Sequence, residues 1–212
     1  RTDELPDKAS LAVTLKTAAF SSATDHRRIT NPSIDRKLIE ASSMIRQALE
    51  AVLLLHLYPR ARIEVNIIIL ADDGSRLAAA INAASLALLD AGIPMKDTIV
   101  ACSAGNTSSQ DDSKTLVDLN HREESFSGSS QQQQATAGHV TVAMLPQRNT
   151  LVLTQCEARL PSLEAMDNLI KSAMSGSQAL SQIMQSAVQE RAASLFTARN
   201  SHTGSHVHLS FP

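Results

Sequence analysis

The sequence predicts an α+β fold in which two β-α units pack sheets against helices, and three observations carry that prediction. Residues 62–70, Arg62-Ile63-Glu64-Val65-Asn66-Ile67-Ile68-Ile69-Leu70, are rich in β-branched side chains and stop at the turn Asp72-Asp73-Gly74-Ser75-Arg76. Residues 77–91 then read as a helix of small side chains, with longer helical periods before it at 34–56 and after it at 161–196. Short apolar or alternating runs at 10–20, 98–103, 115–120, 140–145 and 151–156 supply further strands. At 212 residues, 43% of them hydrophobic, the chain is long enough for one full core or two small lobes.

In chain order, Leu11, Val13 and Leu15 share one face of the strand at 10–20. Residues 21–32 read as a polar loop whose Asp25-His26-Arg27-Arg28 either contacts a phosphate backbone or is an ordinary solvated loop. Ile34, Leu38, Ile39, Ile45, Leu49, Val52 and Leu53 recur at helical spacing, and Pro59 ends that helix. Arg36, Lys37 and Glu40 lie on its first turns. The strand at 62–70, the helix to Ala91, the stop Asp90-Ala91-Gly92-Ile93-Pro94 and the strand at 98–103 read as a crossover unit. Its alanines, Ala78, Ala79, Ala80, Ala83, Ala84 and Ala87, allow close packing.

Residues 125–138, with glutamine at 131–134, have no apolar period and read as a flexible loop at a sheet edge. His121 and His139 flank it, and two lone histidines without matched carboxylates are weak support for a metal. Leu163, Met166, Leu169, Ile170, Met174, Leu180, Ile183, Met184 and Val188 mark the longest helix as core or subunit contact, with Gly176 expected to interrupt or bend it. Beyond Arg199 the polar tail with His202, His206 and His208 reads as disordered.

Composition removes several function classes. With four Phe, one Tyr and no Trp, the core must be Leu, Ile, Val, Ala and Met, and aromatic platforms for base stacking are not evident. A net charge of −2 argues against a broad nucleic-acid patch and leaves room for a local basic site. Cys102 and Cys156 lack the paired spacing of a zinc or redox site and read as buried reduced thiols. No run approaches the ~18 consecutive apolar residues of a membrane span and no signal-peptide pattern opens the chain, so a soluble intracellular protein without a membrane partner is expected.

The turn at 72–76 supports two readings. A strand feeding a glycine turn at a helix N-terminus offers backbone N–H groups and the positive end of the helix dipole to an anion, with the Ser75 hydroxyl and the Arg76 fork beside them. The same Asp, Gly and Ser can equally serve as an ordinary helix cap.

Tyr58-Pro59-Arg60, Ala71-Asp72-Asp73-Gly74-Ser75-Arg76, the run Asn82-Ala83-Ala84-Ser85-Leu86-Ala87-Leu88-Leu89-Asp90-Ala91-Gly92-Ile93-Pro94-Met95-Lys96-Asp97, Leu5-Pro6-Asp7-Lys8-Ala9 and Asp118-Leu119-Asn120-His121-Arg122-Glu123-Glu124 together resemble the RNase PH superfamily. The similarity runs from about residue 5 to about residue 196 and is strongest to the subunits of the exosome ring. It implies an RNase PH-like fold (ribosomal protein S5 domain 2-like) over residues 1–197, a tail at 198–212, and family N-terminal strands that would precede Arg1 and are missing here. The partners it implies are other RNase PH-like subunits in a six-membered ring, exosome cap subunits, an associated nuclease and single-stranded RNA. The compartments it implies are nucleus, nucleolus and cytoplasm.

The same resemblance implies a chemistry. Phosphorolysis cleaves RNA from its 3′ end with inorganic phosphate as nucleophile, so adjacent anions must be held by preorganised donors and the leaving ribose oxygen must be protonated. By resemblance Lys37, Gly74, Ser75 and Arg76 bind the phosphate, and Asp118 and Glu124 are the catalytic carboxylates and candidate ligands for Mg2+. Arg1, Lys8, Arg27, Arg28 and Arg36 are the expected RNA contacts. Three positions depart from the active members: Lys37 where Arg is usual, Asp73 where Gly or Ala is usual, and Glu124 where Asp is usual. The expected function is therefore a ring subunit that binds and channels RNA for 3′–5′ processing and decay, needing no cofactor. The alternative is a phosphorolytic 3′–5′ exoribonuclease using inorganic phosphate and Mg2+.

Overall fold

The computed structural model describes residues 6–18, 20–21, 36–106, 115–128, 138–156 and 162–203. Strands β1 (Ser10–Thr17) and β2 (Arg62–Ile69) pair in parallel, with Ser10 opposite Arg62 and Thr17 opposite Ile69. Parallel neighbours cannot be joined by a tight hairpin and need a crossover. Helix α1 (Arg36–Val52) lies between them in sequence and packs on β1. Its Ser42 hydroxyl donates to the Leu38 carbonyl at 2.7 Å and accepts the Leu15 N–H at 3.1 Å, which ties strand to helix.

Helix α1 stops at Val52, short of residue 56 where the apolar period ends. Leu53 instead forms an isolated antiparallel bridge with Met95, the Leu54 N–H donates to the Pro94 carbonyl at 3.2 Å, and a 3-10 turn follows at Leu55–Leu57. Leu53 and Leu55 are buried all the same, so apolar spacing alone overextends the helix.

Helix α2 (Arg76–Asp90) connects β2 to β3 (Val100–Asn106), and these two strands belong to different sheets. The crossover expected around α2 is thus not a crossover within one sheet; that role falls to α1. Strand β3 opens a four-stranded antiparallel sheet of order β4-β3-β5-β6, completed by β4 (Thr115–Val117), β5 (His139–Leu145) and β6 (Thr150–Cys156). The central strands β3 and β5 are buried along nearly their whole length because helices cover both faces of the sheet.

On one face α2 joins α1, β1 and β2 in the larger core, where Ile45, Leu49, Val52, Ile81 and Ile99 are fully enclosed. On the other, α4 (Leu163–Thr203) sets Leu169 and Ala173 against Ala104, Val140 and Val142. Asn82 of α2 closes a stretch of β3 that β4 does not reach. Its side-chain N–H donates to the Ala101 carbonyl at 2.8 Å and its carbonyl accepts the Ala101 N–H at 2.7 Å, as a neighbouring strand would.

Helix α4 runs through Gly176 and on to Thr203, beyond the expected ends at residues 196–199. A Cβ on Gly176 would lie 2.8 Å from Cys102 Sγ and 2.7 Å from Val117 Cγ1, so this glycine permits close helix–sheet approach. The Ser- and Gln-rich stretch begins as a helix, α3 (His121–Gly128), and residues 129–137 lie outside the described residues. His206 and His208 do as well. Cys102 is buried, as expected; Cys156, at the end of edge strand β6, is exposed, which corrects the expectation of two buried thiols. Among the described residues no helix is long and apolar enough to cross a membrane.

Candidate active site

The site forms where the β2–α2 turn meets the segment leading from β4 into α3. The Asp72 N–H donates to the Ser21 carbonyl at 2.9 Å, which anchors the turn to the chain just past β1. Gly74 then adopts φ +108°, a region that L side chains rarely enter. A Cβ there would sit 2.5 Å from the Leu119 carbonyl oxygen and 2.7 Å from the Asn120 carbonyl carbon, so only glycine lets the two segments touch backbone to backbone. The Asp73 carbonyl accepts the His121 N–H across the same junction at 2.5 Å.

Ser75 follows in the left-handed region at φ +48° and occupies the N-cap position of α2 without a side-chain capping bond. Its hydroxyl points inward, bonding Ser103 Oγ of β3 and donating to the Leu119 carbonyl at 3.0 Å. A hydroxyl has one proton, so Ser103 must donate to Ser75, leaving Ser103 Oγ to accept the Leu119 N–H at 3.4 Å. The backbone N–H of Ser75 is taken by Glu124 Oε1 at 2.8 Å. Arg76 turns back on its own helix, with Nη1 3.1 Å from Asp72 Oδ2.

Glu124 reaches Ser75 because α3 starts where it does. The Asn120 N–H donates to Glu123 Oε2 at 2.9 Å and the Glu123 N–H to Asn120 Oδ1 at 3.0 Å. This reciprocal cap sets the first turn of α3 and hence the place of the next side chain. Asp118 precedes it at φ +62°, with its N–H on the Ser103 carbonyl at 2.8 Å and its side chain exposed. Burial pushes the Cys102 thiol up, and the nearby Asp118 carboxylate pushes it further.

Gly74, Ser75, Arg76, Asp118 and Glu124 are thus gathered around one junction. Lys8, Arg36 and Lys37 are exposed, the first before β1 and the others in the opening turn of α1. Arg1, Arg27 and Arg28 lie outside the described residues. Asp73 is exposed and joins the junction through its backbone. Among the described residues no group of three or more His, Cys, Asp or Glu side chains is placed to hold a metal. The Glu124 carboxylate is directed at the Ser75 amide, and Asp118 is exposed. Sequence reasoning missed Ser103, Asp72 and Glu123. The spacing Asn120-x-x-Glu123 is a capping signal that announces α3, whereas nothing in a strand of apolar residues marks Ser103 as the partner of Ser75.

Residues 1–94 match the model of the 3′ exoribonuclease (RNase PH) family, domain 1. The exosome complex component Rrp41 of Thermococcus kodakarensis is 38% identical over 186 residues, covering 88% of this chain and 68% of that protein. RRP41 of Bos taurus is 35% identical over 190 residues, covering 90% and 71%. The crystal structure of rice Rrp46 superposes with a TM-score of 0.71 at 25% identity, covering 89% of this chain and 78% of the other. The Archaeoglobus fulgidus exosome with RNA bound to its active site shares the fold, with a TM-score of 0.63 at 19% identity, covering 84% and 72%. By its identity to these Rrp41 proteins and the span it shares with them, the chain belongs to the RNase PH family of 3′ exoribonucleases.

Proposed function

We propose that this protein is a core-ring subunit of the RNA exosome, one of six RNase PH-like subunits that bind single-stranded RNA and pass it on for 3′–5′ processing and decay. The observation that carries this is the similarity to Rrp41 components from an archaeon and a mammal across nearly the whole chain. Exposed Lys8, Arg36 and Lys37 provide point charges for the RNA backbone. Arg1, Arg27 and Arg28 are proposed to extend them. Such contacts position RNA without reading its sequence. Cap subunits and a separate nuclease complete the working assembly, in nucleus, nucleolus and cytoplasm. Co-expression with a second RNase PH-like subunit tests the proposal: co-elution as a closed ring supports it, and persistence of the chain as a monomer overturns it.

A specific observation favours a second reading, phosphorolysis. Gly74, Ser75 and Arg76 stand beside the loop that carries Asp118, linked to it through Ser103. A phosphate held by the Ser75 N–H and Arg76 would attack the terminal RNA phosphorus, the bond to the ribose 3′ oxygen would break, and Asp118 would protonate that oxygen. Lys37 would add a cation, Glu124 would be the second carboxylate, and Mg2+, when bound, would neutralise charge on the reacting phosphates. Phosphate-dependent release of nucleoside diphosphates from single-stranded RNA by the ring, lost in Arg76→Ala, supports this reading; no release with wild-type protein overturns it.

A further inference from the structure

The Ser75 and Arg76 groups assigned to phosphate already have partners within the chain. Glu124 holds the Ser75 N–H, Leu119 and Ser103 hold the Ser75 hydroxyl, and Asp72 holds Arg76. Two of these occupants are carboxylates, oxyanions like the phosphate that the donors would bind. The one at the head of α2 stands where the helix dipole favours an anion.

The geometry points to Glu124 as an internal anion that competes with inorganic phosphate for the Ser75 amide. This rests on the phosphate-site reading above and changes the part Glu124 plays in it, from acid or metal ligand to occupant of the cradle. The extra methylene of Glu over Asp lets a carboxylate rooted on α3 span to the head of α2, and the Asn120–Glu123 cap holds its helix turn in register. Phosphate enters when the Glu124 side chain swings away, and its negative charge then keeps the carboxylate from returning. A cradle open about one-tenth of the time binds phosphate about tenfold more weakly than its donors allow.

The test titrates inorganic phosphate into the full chain assembled with an RNase PH-like ring partner, followed by calorimetry and phosphorus NMR. Glu124→Gln keeps the shape and removes the charge; Glu124→Asp keeps the charge and shortens the reach. Both are expected to bind phosphate more tightly than wild type, Glu124→Gln by about tenfold. Glu50→Gln, which alters an exposed carboxylate paired with Arg46 on α1, is expected to leave the affinity unchanged. Unchanged or weaker binding in Glu124→Gln overturns the inference. If at the same time Arg76→Ala weakens binding, the phosphate site itself stands. Failure of wild type and of every variant to bind phosphate overturns both the site and the competition.

Discussion

Ser75, at the head of α2, and Ser103, in the middle of β3, join hydroxyls in a buried hydrogen bond that locks the β2–α2 turn onto the four-stranded sheet. Ser103→Ala removes the donor to Ser75 and the acceptor for the Leu119 N–H. The expected cost is about 1–2 kcal/mol of stability, read from the midpoint of urea unfolding. Because the Ser75 hydroxyl keeps the Leu119 carbonyl, the fold survives the substitution.

Two glycines with positive φ separate backbone strain from steric collision. Gly92, at φ +71°, has open space where a Cβ would be, whereas Gly74 has backbone atoms closer than 3 Å. Gly92→Ala is expected to cost about 1 kcal/mol, and Gly74→Ala about 3 kcal/mol or more, because the 118–121 segment must move away. Chemical denaturation of the two variants side by side checks the difference.

Asn82 stands in for a missing strand beside Ala101. Asn82→Leu leaves a backbone N–H and a carbonyl of β3 unpaired and is expected to cost about 2–4 kcal/mol. Hydrogen exchange at the Ala101 amide should accelerate in this variant more than at its neighbours.

Burial, reinforced by Asp118, holds the Cys102 thiol protonated to higher pH than an ordinary thiol. The folded value is raised, so the stabilisation is complete below the unfolded value of about 8.5 and is lost as pH rises from there towards the folded value. In that window stability should fall by up to about 1.4 kcal/mol per pH unit more in wild type than in Cys102→Ala. Thermal unfolding of both proteins between neutral pH and pH 10 measures the difference in slope.

Much of this architecture is legible in the chain. The β-branched run at β2, the Asp-Gly stop and the alanines of α2 each follow from local propensity. What was not legible are pairings made at a distance. Spacing does not tell which sheet a strand joins, so β2 and β3 read as partners although β2 pairs with β1. The site shows the same division. Gly74, Ser75 and Arg76 stand out as a turn, but the inward Ser75 hydroxyl and the Glu124 carboxylate on its amide exist only once β3 and α3 are folded against that turn. Asp72 and Asp73 are adjacent in sequence, and only the fold shows that Asp72 holds Arg76 while the Asp73 side chain is exposed.

Salt-dependent binding of single-stranded RNA by the assembled ring tests the channel role most directly. The expected result is affinity that falls linearly with the logarithm of salt concentration and is insensitive to sequence. In an Arg36→Ala, Lys37→Ala double variant the slope should drop by about 1–2. Assembled rings that do not bind RNA, or a slope untouched by the double variant, would contradict it.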